Sequence, residues 1–387
     1  MKQGDKNSLP KGWEMKTLDQ VSENLDSRRV PITKQKRNSG DIPYYGASGI
    51  VDYVSDYLFD ENILCVSEDG ANLLARTYPI AFSVSGKCWV NNHAHVLKFD
   101  NLITQNYVEY YLNSIGLEDF VSGMAQPKLN QSMLNRIPIP IPLLEEQQRI
   151  VAKLDDAFEA IEKAKANAEQ NLKNAKELFE SYLQAIFENK GKDWEVKTLG
   201  EVAKVMYGYT EKSSIEEIGP KFLRITDIQG DGVNWATVPY CKINDEDFDK
   251  YKLSSSDIVF ARTGATTGKS YLVIDPPKSV FASYLIKVNI INIGLSSEFL
   301  FLFFQTKAYW NTINAGISGS AQGGFNATKL SELQIPIPSL QEQQTIVQKL
   351  DALSVETKKL EAIYQKKLED LEELKKSILQ KAFSGQL

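Results

Sequence analysis

The sequence predicts an α+β protein: two mixed globular heads joined by two long helices that form an antiparallel coiled coil with pseudo-two-fold symmetry. Three observations carry this expectation. The chain repeats itself, each repeat closes on a proline-rich tetrapeptide, and each tetrapeptide opens a long stretch without glycine or proline that carries a heptad of apolar residues. The boundaries that follow are a first head at 1–142, a first helix segment at 143–191, a second head at 192–338 and a second helix segment at 339–387.

The repeat comes first because self-similarity decides the architecture. Trp13-Glu14-Met15-Lys16-Thr17-Leu18 returns 181 positions later as Trp194-Glu195-Val196-Lys197-Thr198-Leu199. Ile139-Pro140-Ile141-Pro142, with Glu146-Gln147-Gln148 and Ile150-Val151 behind it, returns 196 positions later as Ile335-Pro336-Ile337-Pro338, Glu342-Gln343-Gln344 and Ile346-Val347. The larger second offset makes the second variable block about 15 residues longer. The chain therefore reads as a tandem duplication of head and helix.

Residues 145–187 are rich in Ala, Glu, Lys, Leu and Gln, all good helix formers. Ile150, Leu154, Ala157, Ile161, Ala164, Ala168, Leu172, Ala175, Phe179, Tyr182 and Ile186 recur in steps of three and four, a heptad with one stutter. The second copy places Ile346, Leu350, Leu353, Leu360, Tyr364, Leu368, Leu371, Ile378 and Ala382 at the same phases, with Thr357 and Lys375 as polar exceptions. Ser339 and Glu342 have the spacing of a capping box. Each helix of about 43 residues spans about 64 Å. A narrow apolar seam must be covered. Chain order makes the other helix an antiparallel partner, while pairing with another subunit is the competing arrangement.

The heads read as mixed strand and helix. Residues 62–66 and 80–84 of the first look like strands and 106–113 like a helix. In the second, 221–225, 257–260 and 270–274 look like strands and 297–306 like a helix. Elsewhere the heads diverge, which suggests two different recognition tasks on related scaffolds.

Composition narrows the function. The chain has 387 residues, net charge −6 and an isoelectric point near 5.3. Neither head is basic, their net charges being −2 and −1, so any nucleic acid must meet a local positive face or cations supplied by a partner. No apolar run is long enough for a membrane span or a secretory signal. Cys65, Cys88 and Cys241 are far apart, which excludes a disulfide framework and fits the reducing cytoplasm.

Three motifs come close to a chemistry and fail. Gly264–Ser270 resembles a phosphate-binding loop, but it has three residues between its glycines instead of four, and a strand pattern follows. Asp275-Pro276-Pro277 resembles a methyltransferase loop, but Lys278 stands where an aromatic must stack on a base. His93 and His95 offer two metal ligands where zinc needs at least three. The sequence points to no enzyme, no cofactor and no metal.

The proline-rich tetrapeptide, the Glu-Gln-Gln and the Ile-Val at the head of a long helix, repeated between diverged blocks, resemble the DNA specificity subunit of type I restriction-modification systems, the HsdS family. The resemblance covers essentially the whole chain. The segments 44–49, 89–95, 123–126 and 319–322 are also similar to that family. It implies that each head is a target recognition domain and each helix a spacer. One subunit would join two methyltransferase subunits and further restriction translocase subunits. Each head would read half of a split, asymmetric double-stranded DNA site. Adenine-N6 methylation would occur on the modification subunits, with no catalysis in this chain.

Base readout favours Arg or Lys on guanine and Asn or Gln on adenine. On that basis the first head offers Lys34, Lys36, Arg37, Tyr44, Ser48, Arg76, Asn92, His93, Gln126 and Lys128 as DNA contacts. The second offers Tyr207, Tyr209, Lys212, Arg224, Arg262, Lys269 and Gln322. Glu146–Gln148 and Glu342–Gln344 suit either a methyltransferase contact or hydrogen bonds at the helix start. A function of another class also fits: a coiled-coil adaptor whose two heads bind proteins and no DNA, which the near-neutral heads favour and the family-like repeats oppose.

Overall fold

The computed structural model describes residues 9–123, 126–230, 232–318 and 324–387, which fall into two compact units. One holds residues up to 169 together with 365–387, and the other holds 170–364. Each unit thus contains one head and a piece of each long helix.

The two repeated motifs are hydrogen-bonded partners. Glu14–Thr17 pairs antiparallel with Pro138–Ile141, Met15 opposite Pro140, and Glu195–Thr198 pairs in the same register with Gln334–Ile337. Proline removes a ladder donor and is tolerated at a sheet edge. Each ribbon has only two strands, so both strands are edges. The ribbon leads directly into the helix. Gln147 donates from Nε2 to the Pro142 carbonyl, and Gln343 to the Pro338 carbonyl, each at 2.8 Å. Both glutamines are buried. These residues therefore serve the helix start and are not exposed for a partner. The Ser339–Glu342 capping box forms by half. Ser339 Oγ accepts the Glu342 amide proton, but the Glu342 carboxylate instead accepts from Trp194 Nε1.

Helix α1 runs from Leu144 to Glu188 and helix α2 from Leu340 to Phe383. In the first unit their contacts run in opposite directions: Arg149 meets Leu387, Glu162 meets Lys375, and Lys165 meets Glu372. The pair there is intramolecular and antiparallel, as chain order suggested. Ile161 and Ala168 on the predicted seam are buried. In the second unit Leu183 and Phe187 of α1 share a core with Ile346 and Leu350 of α2. Ala175 and the polar exception Thr357 are also buried, and Thr357 satisfies its hydroxyl by donating to the Ser354 carbonyl.

Each head centres on a four-stranded antiparallel sheet of the same topology. The first uses β1 (Glu23–Asn24), β2 (Ile63–Ser67), β3 (Ala81–Val84) and β4 (Ala94–Lys98) in the order β1-β4-β2-β3. The second uses β5 (Ala203–Tyr207), β6 (Ile258–Ala261), β7 (Ser270–Leu272) and β8 (Leu285–Ile290) in the order β5-β8-β6-β7. The central strands β2 and β6 are buried on both faces, which explains the unbroken apolar runs Ile63–Val66 and Ile258–Ala261. Around these sheets the heads differ. The first adds a second four-stranded sheet built on Ile42–Gly46, and the second adds a parallel pair, Lys221–Leu223 with Ser279–Phe281.

Several expected elements are shorter or longer than their sequence patterns. The helix expected at 106–113 extends over Leu102–Ser114, capped by Asn101 Oδ1 on the Thr104 amide. The strand expected at 221–225 ends at Leu223 because Arg224 and Asp227 close a 3-10 turn. The helix expected at 297–306 stops at Phe303, where Thr306 starts the next helix by accepting the Tyr309 amide proton. Among the described residues no helix is long and apolar enough to cross a membrane.

The cores explain why the long helices persist. Ile150, Leu154 and Phe158 of α1 and Ile378, Leu379, Ala382 and Phe383 of α2 close the core of the first head over Tyr107 and Leu112. Phe383 sits edge-on to both Tyr107 and Tyr111. Replacing Phe383 with Ala should therefore destabilise the first head by about 2–4 kcal/mol, the lower part of the range for aromatic truncation because the ring is half-buried. Denaturant unfolding followed by hydrogen exchange checks this. Protection should fall in residues 102–114 and hold in 297–318, and equal losses in both would contradict the assignment.

Candidate nucleic-acid interface

Corresponding ends of the two sheets gather corresponding loops, held by corresponding backbone bonds. In the first head the Glu68 amide donates to the His93 carbonyl at 2.9 Å, and the Leu129 amide donates to the Glu68 carbonyl at 2.8 Å. In the second the Arg262 amide donates to the Tyr284 carbonyl at 3.2 Å, and the Phe325 amide donates to the Arg262 carbonyl at 2.9 Å. Glu68 thus corresponds to Arg262, His93 to Tyr284 and Leu129 to Phe325. Three loops meet here in each copy: the one leaving β2 or β6, the one entering β4 or β8, and the one before the short helix Gln131–Asn135 or Ala327–Ser331. The backbone plan is shared and the side chains are not, which is what a duplicated scaffold with two specificities requires.

In the first head this end collects Ser48, Asn92, His93, Gln126 and Lys128, all exposed. Ser67 Oγ donates to the Ala47 carbonyl and ties in the turn that carries Ser48, whose hydroxyl bonds to that of Tyr78. His93 Nδ1 lies 2.8 Å from Asp69, and Lys128 Nζ lies 3.1 Å from Glu68. In the second head, Tyr207 and Arg262 stack with the guanidinium 4.7 Å from the ring centre. The Tyr207 hydroxyl accepts the Ala327 amide proton, which ties it to the same end. Lys269 projects from the hairpin between β6 and β7 and is exposed. Its neighbour Gly268 has φ +95°, and a Cβ there would lie 2.7 Å from the Trp310 ring, so only glycine fits. The Gly-rich stretch is a hairpin with a 3-10 turn, and a strand follows it. Gln322 lies outside the described residues, as do Ala125 and 319–321 of the family-like segments.

Other candidates are committed to the fold. Tyr44 is 1% exposed and its hydroxyl bonds to the Ile32 backbone, so it is a core residue and is withdrawn as a DNA contact. Arg76 caps the helix Leu102–Ser114, with its guanidinium on the Leu112 and Ile115 carbonyls, and burial works against its charge. Arg37 is bound to Asp52 at 2.8 Å and lies over the Tyr44 ring. Arg224 forms a two-point pair with Asp227. In both pairs the carboxylate bond holds the guanidinium proton more firmly. Tyr209 is half-buried, packs on Tyr251, and its amide donates to the Phe281 carbonyl. Lys34 and Lys36 lie on an exposed 3-10 turn, and Lys212 on an exposed loop.

Sequence reading overlooked Tyr284, which is 63% exposed, and Tyr78, which is 46% exposed. An aromatic next to a strand start reads as core, and only the topology puts these two at the loop end. His95 is a hydrogen-bonded structural residue, the reading that two histidines without a third ligand favour. It is buried, with Nδ1 2.5 Å from Asp26 and Nε2 2.8 Å from the Leu129 carbonyl. His93 faces Asp69 instead.

A duplicated α+β head on paired helices, with matched loop ends and divergent side chains, defines a two-headed recognition protein. The model of the type I restriction modification DNA specificity domain matches twice, at residues 10–170 and 191–372. The chain belongs to this family of type I restriction-modification specificity subunits, HsdS, whose role is DNA recognition. Specificity subunits are non-catalytic, and the enzymatic activities lie in separate subunits. Among relatives, a Haemophilus influenzae protein assigned as a type I restriction enzyme specificity subunit is 28% identical over 355 residues, 87% of this chain and 86% of its own. The MjaVIII specificity subunit of Methanocaldococcus jannaschii is 23% identical, over 98% and 94% of the two chains. In fold, the chain is similar to the HsdS subunit of Thermoanaerobacter tengcongensis, with TM-score 0.64, 19% identity and 98% of each chain covered. It is also similar to a chain from a type I R-M system, with TM-score 0.70, 19% identity and coverage of 98% and 99%.

The free and committed cations should separate by salt dependence. Lys269→Ala and Lys36→Ala should each lower the salt slope of DNA binding by about one. Arg224→Ala and Arg76→Ala should leave the slope unchanged and lower the melting temperature. Titrating binding against salt for the four variants checks this, and the reverse ranking would remove the two lysines from the interface.

Proposed function

We propose that this chain reads a split, asymmetric double-stranded DNA site in the cytoplasm, one half with residues 1–142 and the other with 192–338, and that the helix segments 143–191 and 339–387 set the unread gap. One copy would carry two methyltransferase subunits and restriction translocase subunits. The observation that carries this reading is the matched loop end with unmatched side chains. A surface repeated in plan and varied in chemistry suits two different short sequences read by one method. The contacts proposed are Lys34, Lys36, Ser48, Asn92, His93, Gln126 and Lys128 in the first head, and Tyr207, Lys212, Arg262, Lys269 and Tyr284 in the second. Gln322 joins them as the counterpart of Gln126.

The physics is compatible. Asn and Gln pair with adenine and Arg or Lys with guanine in the major groove, each good two-point contact worth about 1–3 kcal/mol of discrimination. The acidic chain is tolerable if partner subunits supply much of the phosphate contact. A helix of 45 residues measures about 67 Å, so its length is a natural ruler, as protomer spacing is in dimeric DNA readers.

The test is to co-express the chain with its methyltransferase and map N6-methyladenine across the host genome. A two-part motif with an unread gap is expected. Exchanging residues 8–138 for another head should change one half-site and leave the other. Deleting about one heptad from both helices should shorten the gap or abolish assembly. Methylation without a split motif, or an unaltered gap in an assembled deletion variant, would overturn the reading.

A further inference from the structure

In the first head the loop that carries Gln126 and Lys128 is held from inside by a buried histidine. His95 lies on β4, is 1% exposed, and faces an acceptor at each ring nitrogen: Asp26 Oδ2 and the Leu129 carbonyl. A neutral imidazole has one N–H and cannot donate to both. With Asp26 ionised, only the doubly protonated ring can donate both bonds. The charged groups around it are Asp26 from the 3-10 turn Asp26–Arg28, Glu68 after β2 at 3.8 Å, Arg29, which bridges Asp26 and Glu68, and Lys128, which pairs with Glu68. Burial works to raise the Asp26 carboxyl, but the hydrogen bond and charge of His95, the Val96 amide and Arg29 together outweigh it and leave Asp26 below its ordinary value. Cys65, also buried nearby, is pushed well up by burial and stays a neutral thiol.

The second head has no titratable side chain at the position of His95. In the strand register Val66 faces His95, and in the second sheet Phe260 faces Ile286. Ile286 is fully buried in the place of His95, and Phe325 packs on Phe260 in the place of Leu129. One loop is held through an imidazole, its counterpart by apolar contact and by the Tyr207 hydroxyl on the Ala327 amide.

We propose that His95 is a positioning residue that makes recognition by the first head depend on pH while recognition by the second does not. This rests on the reading that the two heads take one half-site each. With two protons, His95 joins Asp26 to the Leu129 carbonyl and fixes residues 126–129 against the sheet. As pH rises the ring gives up one proton, a lone pair faces an acceptor, and one of the two bonds is lost. The loop loosens and the penalty for a wrong base in its half-site shrinks. A hydrogen bond to a charged group corresponds to about a tenfold effect or somewhat more.

The experiment uses the assembled complex with its methyltransferase subunits and the target found by methylation mapping. Duplexes with one altered base pair in either half compete for binding between about pH 5 and about pH 8, the range in which histidine switches. The half-site of the first head should lose about tenfold in discrimination as pH rises, and the other half should hold constant. Partner subunits that titrate would move both halves together. The chain has only two histidines, so two variants apportion the effect. His95→Gln should flatten the profile, whereas His93→Gln, at a proposed contact, should weaken binding at every pH and keep the loss of discrimination with rising pH. If His95→Gln does not fold, the profile of His93→Gln decides alone. Equal profiles for the two halves, or a profile abolished by His93→Gln, would overturn the proposal. Absence of a split motif would instead defeat the reading it rests on.

Discussion

A heptad seam on a helix of some 45 residues cannot stay in water, and the way it is covered governs the rest of this structure. The seam is buried by a helix from the other copy of the duplication and, at each end, by a head. In the first unit Ile150 and Leu154 of α1 meet Ile378 and Ala382 of α2 over the core of the first head. In the second, Leu183 and Phe187 meet Ile346 and Leu350 over the core of the other. The second head closes its core with the helix residues that flank it in sequence, but the first does not. Residues more than 200 positions away in the chain complete the first, so the duplicated halves are tied by burial as well as by the covalent chain.

That constraint also explains which parts of the duplication stayed recognisable. The repeated Trp-Glu-x-Lys-Thr-Leu and Ile-Pro-Ile-Pro motifs are the two strands of one ribbon, and a glutamine behind them anchors the helix to the ribbon's last carbonyl. Changing one strand alters its partner's surroundings, so the two motifs are constrained together. The loop ends bear no such burden. Their backbone bonds are satisfied whichever side chains they carry, and so Glu68 can stand where Arg262 stands, and His93 where Tyr284 stands.

This division separates side chains available for recognition from those spent on the fold. An arginine on a surface loop reads as a DNA contact in a linear sequence. Arg76 ends as the cap of a helix, and Arg37 and Arg224 are each held by a carboxylate. Tyr44 shows the same limit. Its segment resembles the family, but the ring lies inside the sheet beneath the loops and does not face outward. The buried His95 is the converse case, a residue with no route to solvent that reaches the loop carrying Gln126 and Lys128 through one carbonyl.

What the sequence determined by itself is whatever is periodic or repeated: the duplication, both helices and their seam, the apolar central strands and the family. These are legible because period and self-similarity are local properties of a chain. The tertiary structure alone decided which side chains are free. Whether a cation meets solvent, a carboxylate or a helix terminus depends on residues brought together across the fold, as Arg37 and Asp52 are across 15 positions and His95 and Asp26 across 69. No spacing rule encodes those meetings, because burial and the unmet hydrogen bonds it leaves select them.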